Sequence, residues 1–286
     1  MKRTATLFLV TVLMLASLMG SCAAEENSAE EIWIDGSLGK LYGILELPDT
    51  DAPFPLIILS HGFDGTHADK QDYADWFVEQ GFAVCSLDFC GGGTGSRSAG
   101  TMLEMSVLTE AEDLNAVIDH FLGDPRLSCI MLWGSSQGGL VSGYVSAQRP
   151  EDIRAVVLEF PAIVIPDLVK EMANPDGSFP ESAQLKGVTV GRRYMEDAAS
   201  VDYYAHIASY TGPVLILHGD EDPLVPLRYS LQAQETYSYA ELIVYPRQGH
   251  GFTGQARDNA KAAEAAYFRY WSEASEEEYG LLSSAA

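Results

Sequence analysis

Apolar residues along the chain form short runs that alternate with stretches of helical spacing. Several runs are continuous and not interrupted by polar residues, which is typical of parallel strands covered on both faces. The runs predict strands at Leu41–Leu47, Leu56–Ser60, Phe82–Phe89, Cys129–Trp133, Ala155–Phe160, Val214–His218 and Leu242–Tyr245. Helical spacing predicts helices at Asp69–Gln80, Met105–Phe121, Gln137–Ala147, Leu227–Tyr237 and Ala256–Trp271.

This alternation indicates the class of fold. Strand–helix repetition predicts an α/β domain with a mainly parallel central sheet, right-handed crossovers and helices on both sides. The early strands around Trp33 and Leu41 have no helix between them, so we expect an antiparallel hairpin at one edge of the sheet. A chain of 286 residues fits one large domain.

One segment, at about residues 161–204, breaks the alternation. It contains prolines, the turn sequence Asn174-Pro175-Asp176-Gly177 and only short amphipathic pieces. Because open α/β sheets bind ligands at the carboxyl ends of their strands, we expect this segment to form a cap over that edge. The alternative is a surface excursion without a role.

The N-terminus has the features of an export signal. Lys2 and Arg3 precede an apolar run, Ala5–Met19, that is too short to span a bilayer comfortably. Small residues before Cys22 resemble a bacterial lipobox, which predicts lipidation of Cys22; ordinary cleavage after Ala24 is the alternative. We therefore expect an exported protein, either tethered at the cell surface or secreted.

These features set the expected boundaries. They predict a signal peptide at residues 1–21, a tether at 22–30, a domain with its cap at 31–275, and a tail at 276–286.

Charge and cysteine content exclude several classes of function. The chain has 17 Lys and Arg against 41 Asp and Glu, a formal net charge of −24, so its surface repels nucleic-acid phosphates and anionic lipid headgroups. We expect no nucleic-acid partner, and membrane contact only through the N-terminal anchor. Cys85, Cys90 and Cys129 lie in or beside predicted strands and are expected to be free thiols. No CxxC or HExxH spacing occurs, so no metal or cofactor is expected.

The strongest motif is Gly134–Gly139, which stands directly between a predicted strand and a predicted helix. In a G-x-S-x-G sequence the serine occupies a strained turn, where side chains at the glycine positions would clash. The register of the glycines selects Ser136, not Ser135, as the predicted nucleophile. The Gln137 N–H would then lie at a helix N-terminus, where it can donate to an oxyanion.

A nucleophilic serine requires a base, and His250 is the predicted one. It lies in a glycine-flanked loop just after the last predicted strand. His61 and His218 also end strands, but neither leaves room for the order Ser, Asp or Glu, His that this kind of strand–turn–helix site requires.

The third member is expected between Ser136 and His250, after the penultimate strand. The loop after His218 offers several acids, and Asp222 stands at its tip before a proline. We predict that Asp222 orients the histidine, with Asp220 as the main rival.

The second oxyanion donor is expected in the loop Ser60–Gly65, where the Phe63 N–H would join the Gln137 N–H. The alternative makes His61-Gly62 only a tight turn.

The run Gly91–Ser96 follows a strand but lacks the phosphate-loop ending, so we interpret it as a glycine loop beside the active cleft.

Together, the segments around His61, Ser136, Asp222 and His250 resemble bacterial α/β-hydrolases of the cinnamoyl (feruloyl) esterase type, over roughly residues 40–272. The resemblance implies an α/β-hydrolase fold, a Ser136–Asp222–His250 triad, and oxyanion donors at Phe63 and Gln137. It also implies that the insertion is a small cap that shapes the acyl pocket.

Four functional hypotheses follow. The leading one is a cofactor-free carboxylesterase that acts through an acyl-enzyme on small esters, with hydroxycinnamoyl esters of plant cell-wall polysaccharide as candidate substrates. The alternatives within the fold are a serine aminopeptidase-like hydrolase and a short-chain acyl esterase. A binding protein that has kept the fold without catalysis is a third class, disfavoured by the intact serine, acid and histidine.

Overall fold

The structure is a computed structural model that describes residues 29–275 and 277–279. The strands in these residues are β1 Ala29–Gly36, β2 Gly39–Glu46, β3 Phe54–Ser60, β4 Ala83–Asp88, β5 Leu127–Ser135, β6 Ile153–Glu159, β7 Ser182–Leu185, β8 Val188–Gly191, β9 Val214–Gly219 and β10 Ala240–Tyr245. All but β7 and β8 form one eight-stranded sheet of order β1-β2-β4-β3-β5-β6-β9-β10. Strand β2 pairs antiparallel with β1 and β4, and the other neighbours in the sheet are parallel.

Helices flank the sheet in the predicted alternation, which confirms the α/β class. They are α1 Gln71–Glu79, α2 Val107–Phe121, α3 Gln137–Gln148, α4 Ile165–Lys170, α5 Arg192–Ser200, α6 Tyr203–Ile207, α7 Arg228–Thr236 and α8 Gln255–Glu273. Each predicted strand and helix corresponds to one of these elements. The boundaries shift by one or two residues, as at α2, predicted from Met105: the helix begins at Val107 because the Ser106 side chain caps it by accepting the Thr109 N–H.

The apolar core has two halves, one on each face of the sheet. On β3, Leu56 and Ile58 pack in the cluster that contains α2 and α3, whereas Ile57 and Leu59 pack in the cluster that contains α1 and α8. Because neighbouring strand residues point to opposite faces, a strand covered on both sides must be apolar throughout. This explains the continuous runs in the sequence.

The insertion after β6 contains more structure than its sequence indicated. It holds α4, a two-stranded β7–β8 hairpin, α5 and α6. The sequence suggested only short amphipathic pieces, since strands of four residues are too short to show a period. The insertion packs onto the domain through the buried residues Tyr194 and Met195 of α5 and Ile207 of α6.

The ends of the described region bear on the expected boundaries, which stay predictions. The signal peptide and Cys22 lie outside the described residues. Strand β1 begins at Ala29, two residues inside the expected tether. In the expected tail, the Tyr279 ring lies 6.2 Å from the Trp271 ring, so at least this part contacts the domain.

Cys85 and Cys90 are buried and Cys129 partly so, and none of the three forms a disulfide. Burial raises the pKa of the Cys90 thiol to about 12, so it stays protonated at neutral pH.

Across the part of the chain that the structure describes, no group of three or more His, Cys, Asp and Glu side chains could hold a metal ion. In that same part, none of the helices has the length and apolarity needed to cross a bilayer.

Gly143 provides a test of how tightly α3 packs against its neighbours. A Cβ there would overlap the hydroxyls of Tyr203 and Tyr237. We expect Gly143→Ala to lower the free energy of unfolding by about 2 kcal/mol, measured by urea denaturation, although alanine is the better helix former. The control is Gly95→Ala, whose Cβ would meet only Thr66 Cγ2 at 3.4 Å. Equal stability of the two variants would contradict this packing.

Candidate active site

Three side chains from separate loops meet at the carboxyl edge of the sheet. Ser136 stands between β5 and α3, Asp222 in the loop after β9, and His250 in the loop after β10. His250 Nε2 lies 2.9 Å from Ser136 Oγ, and His250 Nδ1 lies 2.7 Å from Asp222 Oδ2. The structure therefore brings the three predicted catalytic residues into one hydrogen-bonded chain.

The backbone at Ser136 has the strain that its motif predicts. Its φ of 54° and ψ of −120° lie in a region that non-glycine residues rarely occupy. A Cβ at Gly134 would overlap the Gly138 carbonyl, and a Cβ at Gly138 would overlap the carbonyls of Ser60 and His61. The glycines are thus required by close backbone packing, which holds the serine in its exposed turn.

Asp222 has the contacts of an orienting carboxylate. Its Oδ1 accepts the N–H groups of Leu224 at 2.8 Å and Val225 at 2.9 Å, while Oδ2 faces His250. Burial raises the pKa of Asp222, but hydrogen bonds from His218 and His250 outweigh burial and hold it well below the usual value. Asp222 is therefore ionised at neutral pH and fixes the His250 ring.

The rival residues are occupied elsewhere. Asp220 Oδ1 accepts the Arg247 N–H at 2.6 Å. His218 is buried, with Nδ1 2.7 Å from Ser230 Oγ and Nε2 2.8 Å from the Val225 carbonyl. Both residues therefore support the loops around the site without contacting Ser136.

His61 has a different task, which sequence reasoning missed. Its Nε2 accepts the Phe89 N–H at 3.1 Å, so the proton lies on Nδ1, which donates to the Gly62 carbonyl at 2.8 Å. Burial lowers the pKa of His61 and keeps the ring neutral. Since a trans peptide directs its N–H opposite to its carbonyl, the held Gly62 carbonyl fixes the direction of the Phe63 N–H.

The two predicted oxyanion donors belong to residues that line the same cavity as the serine. Gly62 packs against Ser136, since a Cβ there would come 3.3 Å from Ser136 Cβ. The Gln137 N–H lies at the first position of α3, where a helix has no internal acceptor. Within the described residues, neither the Phe63 nor the Gln137 N–H has a hydrogen-bond acceptor. Both are available to an oxygen bound at Ser136.

A buried polar chain connects the oxyanion donors to the cap. Gln137 Nε2 donates to Glu110 Oε1, and the Tyr194 hydroxyl donates to Gln137 Oε1, both at 2.8 Å. The Tyr194 ring also packs edge-on against Phe63, with 5.9 Å between ring centroids. Burial raises the pKa of Glu110 well above its usual value, which favours the uncharged form of this carboxyl.

Only weak signals in the sequence point to these hydrogen-bonded polar residues. Glu110 could have been noticed as an acid on the apolar face of α2, whereas Tyr194 lies in a segment without a clear period.

Two cavities adjoin Ser136. One, of about 50 Å³, lies under the cap and is mostly apolar, with Leu168, Leu185 and Tyr194 among its lining. The other, of about 300 Å³, opens on the side of the serine that carries His250. The glycine run Gly91–Ser96 borders the oxyanion loop: the Thr94 N–H donates to Asp64 Oδ1 at 2.7 Å, and Gly93 packs on the Gly65 carbonyl. This placement agrees with a glycine loop beside the cleft.

Comparisons with known proteins agree with this geometry. Residues 70–275 match the prolyl oligopeptidase family. Human acylamino-acid-releasing enzyme is 25% identical over 223 residues, which cover 72% of this chain but only 30% of that enzyme. The monoacylglycerol lipase of Mycolicibacterium smegmatis is 28% identical over 239 residues, covering 71% of this chain and 83% of the lipase.

The fold also matches a solved structure, Est1E from Butyrivibrio proteoclasticus with ferulic acid bound. Its TM-score is 0.75 at 25% identity, and the alignment covers 84% of this chain and 98% of Est1E.

The sheet, the hydrogen-bonded serine, histidine and aspartate, and these similarities define an esterase- and lipase-like serine hydrolase of the α/β-hydrolase fold. Within that class, the chain belongs to the prolyl oligopeptidase family. The fold and the hydrolase class predicted from the sequence are therefore confirmed.

Tyr194 contacts both oxyanion residues, so its hydroxyl is a sensitive test of the arrangement. We expect Tyr194→Phe to keep the ring on Phe63, release the Gln137 side chain, and lower kcat for ester hydrolysis about tenfold, or about 1.4 kcal/mol. KM should change little, and affinity for a trifluoromethyl ketone, whose adduct mimics the oxyanion, should fall in parallel with kcat.

The matched control is Tyr229→Phe, which removes a hydroxyl that donates to Asp167 of α4 at 3.0 Å, away from Ser136. A similar loss of kcat in both variants would show that Tyr194 acts only through cap stability.

Proposed function

We propose that the protein is a serine carboxylesterase that hydrolyses its substrate through an acyl-enzyme. One observation supports this most directly: Ser136 Oγ is hydrogen-bonded to His250 Nε2 at 2.9 Å beside two N–H groups without an acceptor. Nucleophile, base and oxyanion donors are thus present in one place.

The proposed reaction follows from these positions. Ser136 Oγ attacks the ester carbonyl carbon as His250 Nε2 takes the hydroxyl proton, and Asp222 stabilises the imidazolium without taking the proton. The carbonyl oxygen becomes an oxyanion held by the Phe63 and Gln137 N–H groups, each of which lowers the barrier by roughly 3–4 kcal/mol. His250 then protonates the departing alcohol oxygen, and a water molecule activated by His250 hydrolyses the acyl-enzyme.

Hydroxycinnamoyl esters are the first acyl class to test. Est1E, which shares the fold, has ferulic acid bound in its structure. In this chain Phe63 and Tyr194, whose rings pack against each other, are among the residues that line the apolar cavity, which suits a planar acyl group. A polymer-derived substrate of plant cell walls also fits the exported location that the N-terminal sequence predicts.

A serine aminopeptidase-like activity is the second candidate, because the chain belongs to the prolyl oligopeptidase family and is similar to acylamino-acid-releasing enzyme. A short-chain acyl esterase without hydroxycinnamoyl preference is the third, and the similar monoacylglycerol lipase favours an ester substrate.

A substrate panel with one active-site variant tests the proposal. We expect turnover of methyl ferulate or 4-nitrophenyl butyrate, little turnover of aminoacyl anilides, and covalent labelling of Ser136 by a fluorophosphonate. Ser136→Ala should lower kcat by a factor of about 10⁴ or more and abolish labelling. Ser135→Ala, one residue away, is the control and should still be labelled. Full esterase activity in Ser136→Ala would refute the mechanism, and faster turnover of the anilides would favour the peptidase.

We also propose that Cys22 carries the lipid anchor that ties the enzyme to the cell surface. Expression in a bacterium with lipoprotein processing should give a mature protein that begins at Cys22 with the mass of attached lipid, and Cys22→Ser should not be lipidated. A mature mass that corresponds to unmodified cleavage after Ala24 would refute lipidation.

A further inference from the structure

Lys186 lies at the tip of the β7–β8 hairpin in an unusual backbone conformation. The two residues of the turn, Lys186 and Gly187, have φ values of 49° and 86°, both in the left-handed region. Hairpin turns of this kind favour Asn, Asp or Gly at the first position, because a larger side chain is strained there. A lysine at this position is therefore unfavourable for the turn itself, and strained residues are frequent at ligand sites.

The position of Lys186 connects it with the candidate active site. It contributes to the lining of both cavities beside Ser136. Among the described residues that line the apolar cavity, Lys186 is the single charged one. Burial lowers the pKa of Lys186 below its usual value, and the charge of Asp222 opposes part of this shift.

The ammonium group of Lys186 is uncommitted. Within residues 29–275 and 277–279, neither a hydrogen bond nor an ion pair joins it to another group. The neighbouring acid, Asp222, is already hydrogen-bonded to the N–H groups of Leu224 and Val225 and to His250. By contrast, Lys170 in the same cap pairs with Asp167 at 3.3 Å. A cation beside an apolar cavity can therefore pair with a ligand without breaking a contact of the protein.

The two cavities hold different halves of an ester. His250 lines the open cavity and must protonate the departing alcohol, so the alcohol lies on that side. The apolar cavity contains Phe63, Gln137 and Ser136 without His250, and this arrangement leaves it for the acyl chain. An acyl chain in this cavity meets apolar side chains along its length and one cation, Lys186.

We propose that Lys186 binds a carboxylate on the acyl chain, so that the enzyme prefers acyl groups with an apolar stretch that ends in an anion, such as half-esters of dicarboxylic acids. The proposal rests on the carboxylesterase function and narrows its substrate class. The formal net charge of −24 makes a local cation all the more important, because the rest of the surface repels an anionic substrate. Neutral hydroxycinnamoyl esters would make no use of this charge.

The test compares two esters of the same six-carbon acyl chain, one charged and one neutral at its far end. Monomethyl adipate carries a carboxylate at neutral pH, and dimethyl adipate carries a methyl ester at the same position. For Lys186→Gln we expect kcat/KM to fall about tenfold on the half-ester and less than twofold on the diester at low ionic strength. Adding 1 M NaCl should reduce the wild-type preference, because salt screens a partly exposed charge pair.

Two further variants separate charge from backbone effects. Lys186→Asn also removes the charge, but asparagine suits the left-handed turn, so it should lose the same selectivity with a melting temperature equal to or above that of the wild type. Lys170→Gln removes a charge from the same cap without lining either cavity, and should keep the selectivity. Equal losses on both esters, or unchanged turnover of the half-ester in both Lys186 variants, would overturn the proposal.

Binding measured without turnover keeps this inference distinct from the proposed function. In Ser136→Ala protein, calorimetry should show monomethyl adipate binding about tenfold more tightly than dimethyl adipate, and adding Lys186→Gln should remove the difference. No difference in the Ser136→Ala protein would refute the carboxylate site. Failure of the wild type to hydrolyse these esters, methyl ferulate and 4-nitrophenyl butyrate, with the binding difference intact, would instead refute the esterase function.

Discussion

The strained turn at Ser136 is the constraint on which the site depends. Its backbone N–H donates to the Glu159 carbonyl at the end of β6, and its carbonyl accepts the N–H groups of Leu140 in α3 and of Ala162 at the start of the cap. One residue therefore joins a strand, a helix and the beginning of the insertion. The left-handed conformation persists because glycines on both sides let neighbouring backbone approach closely. Moving any of these elements would move the serine hydroxyl.

The cap is connected to the same turn a second time, through side chains. The chain from Glu110 through Gln137 to Tyr194 runs from α2, under the oxyanion position, to α5 of the cap. Because buried polar groups are costly unless paired, this chain favours one docked position of α5. The cap thus lines the apolar cavity beside Ser136 and also contacts Gln137, one of the two proposed oxyanion donors.

The sheet and the serine, histidine and aspartate could be read from the sequence for a physical reason. Strands buried on both faces must be continuously apolar, and a serine in a strained turn demands glycines at fixed spacing. The hairpin of Ser182–Gly191 could not be read, since each strand has four residues. Nor could the pairing of Glu110 with Gln137, or the hydrogen bond from the Phe89 N–H to His61. Those contacts join residues whose proximity is set by the tertiary fold, and no local spacing reports them.

The two histidines of the site have opposite requirements. In the proposed mechanism His250 gains and releases a proton in every catalytic cycle, and it lies at the edge of an open cavity next to an ionised aspartate. His61 must never change its protonation state: a proton on Nε2 would face the Phe89 N–H, which needs an acceptor there. Complete burial protects His61 from that change. In this proposal the same kind of side chain carries protons at one position and holds the backbone at the other, and solvent access together with the hydrogen-bond partners distinguishes the two.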